Sequence, residues 1–185
     1  ANPASGKTFL TMNLAMSLAI KKKRVVVVDL DMRKAATSKY VRKPQLGISS
    51  YLNGQCELKD IIHRYDGVEL DVIPVGMIPP NPTELLYDER LAEAIEQLRK
   101  DYDYVFIDCP PVEVVADSSI IAPFADISLF VVRAYLLERS MLPDVEMFYK
   151  SQRYPNMFMV LNGTESGSGY GYRKYGYRYG YRYGY

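Results

Sequence analysis

The sequence predicts an α/β fold with a mainly parallel β-sheet and helices on both faces. Three observations predict it. Short β-branched or aromatic runs alternate with longer stretches of helical period. Several of those runs are almost continuously apolar, as strands buried on both faces require. The chain has 185 residues, enough for one domain to bury a core without a disulfide or metal staple.

The elements follow in order. Lys7–Lys22 places Leu10, Leu14 and Leu18 at four-residue intervals, with Met16 between them, and reads as the first helix. The predicted strands are Arg24–Leu30 (RVVVVDL), Leu70–Pro74 (LDVIP), Tyr104–Asp108 (YVFID), Ile127–Arg133 (ISLFVVR) and Met157–Asn162 (MFMVLN). Asn81-Pro82 is an N-cap followed by proline at the first helical position, so a second helix is expected over Pro82–Lys100. Leu85, Leu86, Leu91, Ile95 and Leu98 supply its apolar stripe. A third helix is expected from Ser140 to Gln152. His63, the only histidine, follows Ile61 and Ile62 in a predicted helix and reads as structural. Residues 163–169 (GTESGSG) read as a flexible hinge, dividing a folded unit at 1–162 from a tail at 163–185.

The first residues, ANPASGKT, fit the phosphate-loop pattern [AG]-x-x-x-x-G-K-[ST] and run into a helix. The pattern has a chemical reason. A glycine at position 6 lets backbone approach a phosphate, and amides at a helix start point at it. Lys7 adds a charge near the β- and γ-phosphates, and Thr8 offers a hydroxyl to Mg²⁺. Two strands then end in carboxylates, VVVVDLDMR (Val25–Arg33) and VFIDCPP (Val105–Pro111). In an open α/β sheet such strand ends face the ligand. On an ideal strand Asp29 and Asp31 share a face, and loop capping is their alternative role. Asp108 is a hard oxygen donor suited to Mg²⁺. The loop pattern normally follows a strand, so further chain is expected ahead of Ala1.

Taken together, ANPASGKT, VVVVDLDMR, VFIDCPP, NPTELL (Asn81–Leu86) and the tyrosine repeat from Tyr170 resemble the bacterial protein-tyrosine kinases of exopolysaccharide and capsule synthesis. These are P-loop NTPase-type enzymes, and the resemblance spans nearly the whole chain. It implies ATP and Mg²⁺ as cofactors. It implies that Ala4, Ser5, Gly6, Lys7, Thr8 and Phe9 hold the nucleotide, with Asn162 at the base. Thr8, Asp29 and Asp108 would serve the metal, directly or through water. Lys7, Asp29 and Asp31 would be catalytic, Asp31 accepting the tyrosine proton. Arg33 would orient the aspartates or meet an acidic group on a neighbouring subunit; its plainer alternative is a surface ion pair.

The tail carries the compositional anomaly. Of 17 tyrosines, 8 lie in the last 16 residues, which contain only Tyr, Gly, Arg and Lys. With no aliphatic residue, disorder is expected there. The net charge of +1 divides at Tyr170: 22 acidic and 19 basic residues precede it, giving −3, and the tail carries +4. The resemblance implies that Tyr170, Tyr172, Tyr175, Tyr177, Tyr179, Tyr181, Tyr183 and Tyr185 are autophosphorylation sites. The competing reading is a sticky segment, or one that stacks on RNA bases.

The resemblance further implies a homo-oligomer that phosphorylates between subunits. It implies a transmembrane polysaccharide co-polymerase as activator, fused or separate, and a position at the inner face of the cell membrane. No nucleic-acid partner is expected from the charge. A partitioning or cell-division-site ATPase of the same P-loop branch is the rival; its loops carry a lysine where this chain has Asn2. A non-catalytic nucleotide-binding domain is the third reading. Cys56 and Cys109, 53 residues apart, have no metal-ligand spacing and fit a reducing compartment.

Overall fold

In the computed structural model, residues 5–41, 45–65, 67–112 and 117–164 are described. Ala4 and the eight tail tyrosines lie outside them. The central strand β1 (Val25–Asp29) is fully buried along its length. It pairs in parallel with β3 (Leu70–Ile73) on one side and β4 (Tyr104–Asp108) on the other. A two-residue strand, β2 (His63–Arg64), adds antiparallel to β3 at the edge, giving the order β2-β3-β1-β4. His63 therefore lies in a strand and not in the predicted helix. The single turn before it, Leu58–Ile61, is too short to carry the helical pattern further. A second sheet pairs β5 (Ser128–Arg133) with β6 (Met157–Asn162) in parallel.

Four consecutive valines explain both layers. Val26 and Val28 point to one face, packed with α2 (Ile48–Leu52), α3 (Pro82–Leu86) and α4 (Glu89–Asp101). Val25 and Val27 point to the other, against Met12, Ala15 and Ala19 of α1 (Lys7–Ile20). Alternation along a strand thus gives a continuous apolar run two separate cores. A third, smaller cluster joins Phe130 and Val132 of β5 to Val145 and Phe148 of α6 (Leu142–Lys150).

The predicted helix at 82–100 is two helices. Asp88 takes an extended conformation between α3 and α4, and its side chain accepts the Arg90 amide at 2.9 Å. An aspartate that caps the second helix this way ends the first. Asn81 does not cap with its side chain; its amide reaches Glu84 instead, at 2.8 Å. The third predicted helix begins as a short 3-10 turn at Arg139–Met141 and continues as α6.

Among the described residues, β4 and β5 each pair on one side only. The C-terminal ends of β4 and β6 nevertheless converge on the start of α1 and the residues just before it. Thr8 is bonded to Asp108 at the end of β4, and Ser5 to Asn162 at the end of β6, the partner of β5. The phosphate loop therefore spans the seam between the two sheets.

Candidate phosphate-binding site

The loop is built by one left-handed glycine and one tight contact. Gly6 precedes α1 with φ 89°, in the left-handed region that a side chain disfavours. A Cβ there would also lie 2.4 Å from Asn162 Nδ2. Asn162 Nδ2 donates to the Ser5 carbonyl at 2.9 Å, so β6 holds the loop from the side. The first amides of the 14-residue α1 have no intrahelical acceptor and face forward, as anion binding requires. Ser5 is buried, and its Oγ has no hydrogen-bond partner. Such an orphan donor suits a phosphate oxygen. The residues present therefore fit a nucleotide phosphate. Lys7 and Thr8 are half-buried beside this cradle, whereas Phe9 is 63% exposed and turned outward.

Thr8 Oγ1 donates to Asp108 Oδ2 at 2.5 Å. Asp108 is 2% exposed, and burial pushes its carboxyl up to about 6. The Thr8 bond and the Lys7 charge pull the other way, while Asp29 and Asp31 push it further up. Three carboxylates thus share one low-dielectric corner, a place where a divalent cation would relieve their repulsion. Among the described residues no three acidic, His or Cys side chains form a metal cage by themselves. Thr8 and Asp108 are the oxygen donors that would hold Mg²⁺, an ion usually bound by one or two protein groups plus phosphate and water.

Asp29 is committed differently from Asp108. It is fully buried, and Oδ1 accepts the Asp31 amide at 3.0 Å. Oδ2 accepts the Thr37 amide at 2.9 Å and the Thr37 hydroxyl at 2.8 Å. Burial raises the Asp29 carboxyl, and these three bonds oppose the rise. Its visible work is to hold the following loop. β1 ends at Asp29, so the same-face argument for Asp31 does not apply. Asp31 sits in the turn beyond, its carbonyl accepting Lys34 and Ala35 amides. Arg33 does not turn to Asp29 or Asp31. It pairs with Asp117 at 3.4 Å and Thr83 at 3.2 Å.

Cys109, next to Asp108, has its thiol pushed far up by burial and by the neighbouring aspartates, so it stays protonated. Thr37, Thr83 and Asp117 support the site but escaped the sequence reading. Thr83 lies within the NPTELL run; nothing in spacing or composition marks the other two. A hollow of about 560 Å³ opens past the ends of β5 and β6, lined by Arg133, Tyr135, Leu137, Leu142 and Leu161. A larger one, about 630 Å³, lies at the far end of α1 by Lys22, Arg64 and Glu69, away from every group named above.

The chain matches the AAA domain family over residues 4–135. It is 38% identical over 185 residues to the putative tyrosine-protein kinase EpsB of Ralstonia solanacearum, covering 95% of this chain and 24% of that one. It is 38% identical over 133 residues to the tyrosine-protein kinase wzc of Salmonella typhimurium, covering 71% of this chain and 18% of that one. The chain thus spans a quarter or less of the length of these relatives. The kinase domain of the Escherichia coli tyrosine kinase ETK superposes with a TM-score of 0.82 at 32% identity, over 95% of this chain and 69% of that one. The septum site-determining protein MinD of Pyrococcus horikoshii shares the fold, with a TM-score of 0.71 at 24% identity over 87% of this chain and 66% of that one. The chain belongs to the bacterial P-loop tyrosine kinases, and the stretch it represents is their nucleotide-binding catalytic domain.

Proposed function

We propose that this chain transfers the γ-phosphoryl group of ATP to tyrosine hydroxyls, its own C-terminal cluster among them. The observation that carries the reading is the phosphate loop held between Asp108 and Asn162, in a chain whose last 16 residues contain 8 tyrosines. The backbone of Ser5–Thr8 binds the phosphates, and Lys7 places its charge beside them. Thr8 and Asp108 would hold Mg²⁺, with Asp29 reaching it through water. When bound, Mg²⁺ neutralises charge on the transferring phosphates. Asp31 takes the proton from the tyrosine hydroxyl. The tyrosine oxygen bonds to the γ-phosphorus as the bond to the ADP oxygen breaks. Asn162, at the end of β6 beside Ser5, meets the nucleoside.

A Gly- and Ser-containing connection of the composition of residues 163–169 would present the tail at roughly millimolar effective concentration. Transfer between subunits of a homo-oligomer follows naturally. We place the whole protein at the inner face of the membrane, controlling exopolysaccharide synthesis or export with a transmembrane activator. Incubation of the full protein with ATP and Mg²⁺, followed by phosphotyrosine mapping, tests the reading. Phosphate on tail tyrosines that vanishes in Lys7→Met and Asp31→Asn supports it. ATP hydrolysis with unmodified tyrosines would instead identify an assembly-switch ATPase.

A further inference from the structure

We infer that Thr83 and Asp117 are positioning residues, which fix Arg33 and through it the loop that carries Asp31. The inference rests on the kinase reading above. Asp117 opens α5 (Asp117–Ile121) and its side chain is 3% exposed, whereas Arg33 is 42% exposed. Thr83 Oγ1 donates to Asp117 Oδ1 at 2.8 Å, while Arg33 Nε donates to Oδ2 at 3.4 Å. Arg33 Nη2 also donates to Thr83 Oγ1 at 3.2 Å. Three segments distant in sequence therefore close one polar triangle.

The triangle sits opposite another anchor. Asp29 grips the loop from inside through the Asp31 amide and Thr37. Arg33 grips it from outside. Asp31 lies two residues from each anchor, so its carboxylate is fixed only while both hold. Ala35, two residues past Arg33, has φ 46°. A non-glycine residue in that region is strained and persists when its surroundings over-determine it. Asp117 also ends the connection that leaves Asp108, which is nine residues earlier. The triangle thus ties the Asp31 loop to the segment following the Asp108 strand. The Asp117 side chain is 3% exposed, so removing one of its partners leaves a buried carboxylate uncompensated.

The test uses the full protein with three readouts: nucleotide binding by a fluorescent ATP analogue, phosphotransfer kinetics, and hydrogen exchange of residues 31–37. Asp117→Asn keeps an acceptor for Thr83 but loses the charge facing Arg33. It should lower kcat roughly ten- to hundredfold, since small misplacements cost that much. KM for ATP and analogue affinity should change by less than about threefold. Exchange in 31–37 should quicken. Thr83→Val should act in the same direction, and Thr83→Ser should recover what it loses. Arg33→Ala combined with Asp117→Asn should be no worse than Arg33→Ala alone. Unchanged exchange and kcat in Asp117→Asn and Thr83→Val overturn the inference. So does a loss of binding in step with kcat, which marks a merely structural pair. If the wild type transfers no phosphate, the kinase reading fails, and exchange in 31–37 still decides whether the triangle holds the loop.

Discussion

Asp108 bonds to Thr8 in a dry pocket beside two other carboxylates, and its carboxyl is raised to about 6. A raised acid binds its proton more readily folded than unfolded. Its stabilising effect is present below about 4 and is lost as pH rises through about 6. In metal-free protein at pH 7.5, Asp108→Asn should therefore raise stability by about 1–3 kcal/mol, measured by denaturant unfolding with a chelator present. The same variant should lose Mg²⁺-dependent phosphotransfer. An Asp108→Asn protein less stable than wild type without metal contradicts this balance. Gly6→Ala should abolish nucleotide binding, because it meets both a positive φ and Asn162 at 2.4 Å; calorimetric titration with ATP reads this out. These two residues were legible from the loop pattern and the strand-end aspartate. The division of labour between Asp29 and Asp108 was not. Both end apolar strands, and only the distant Thr37 gives Asp29 its loop-holding role.

α4 shows what local pattern determines and where tertiary context intervenes. Leu91, Ala94, Ile95 and Leu98 repeat at three- and four-residue spacing, and all four are buried. Leu91→Ala should cost about 2–5 kcal/mol in equilibrium unfolding, with the helix otherwise intact. Asp88→Ala should cost about 1 kcal/mol by removing the cap. A value near zero would mean that Asp88 does not divide α3 from α4. The strand ends at Asp108 and Asn162 coincide with the sequence reading, since apolar runs stop there at polar residues. The break at Tyr87–Asp88 was hidden because both halves share one apolar stripe. The strand at His63 was hidden because two residues carry no period; β3 alone makes it a strand.

At the scale of the molecule, among the described residues, one bond from each sheet reaches the start of α1: Thr8 to Asp108 of β4, and Asn162 of β6 to Ser5. The tail acts on the same scale through charge. Each tyrosine phosphate adds about −1.5 to −2 at neutral pH, so three reverse the +4 of residues 170–185. We propose that this reversal releases the tail from an acidic neighbouring subunit, so a tail with all its tyrosines changed to phenylalanine should remain assembled in ATP while wild type dissociates, as size measurement would record; the same dissociation in both contradicts it. The central claim, that this fold phosphorylates tyrosine, is tested most directly by mass-spectrometric mapping of the full protein after incubation with ATP and Mg²⁺. The account predicts phosphate on tyrosines between Tyr170 and Tyr185 in wild type and none in Lys7→Met. Turnover of ATP with every one of those tyrosines unmodified would contradict it.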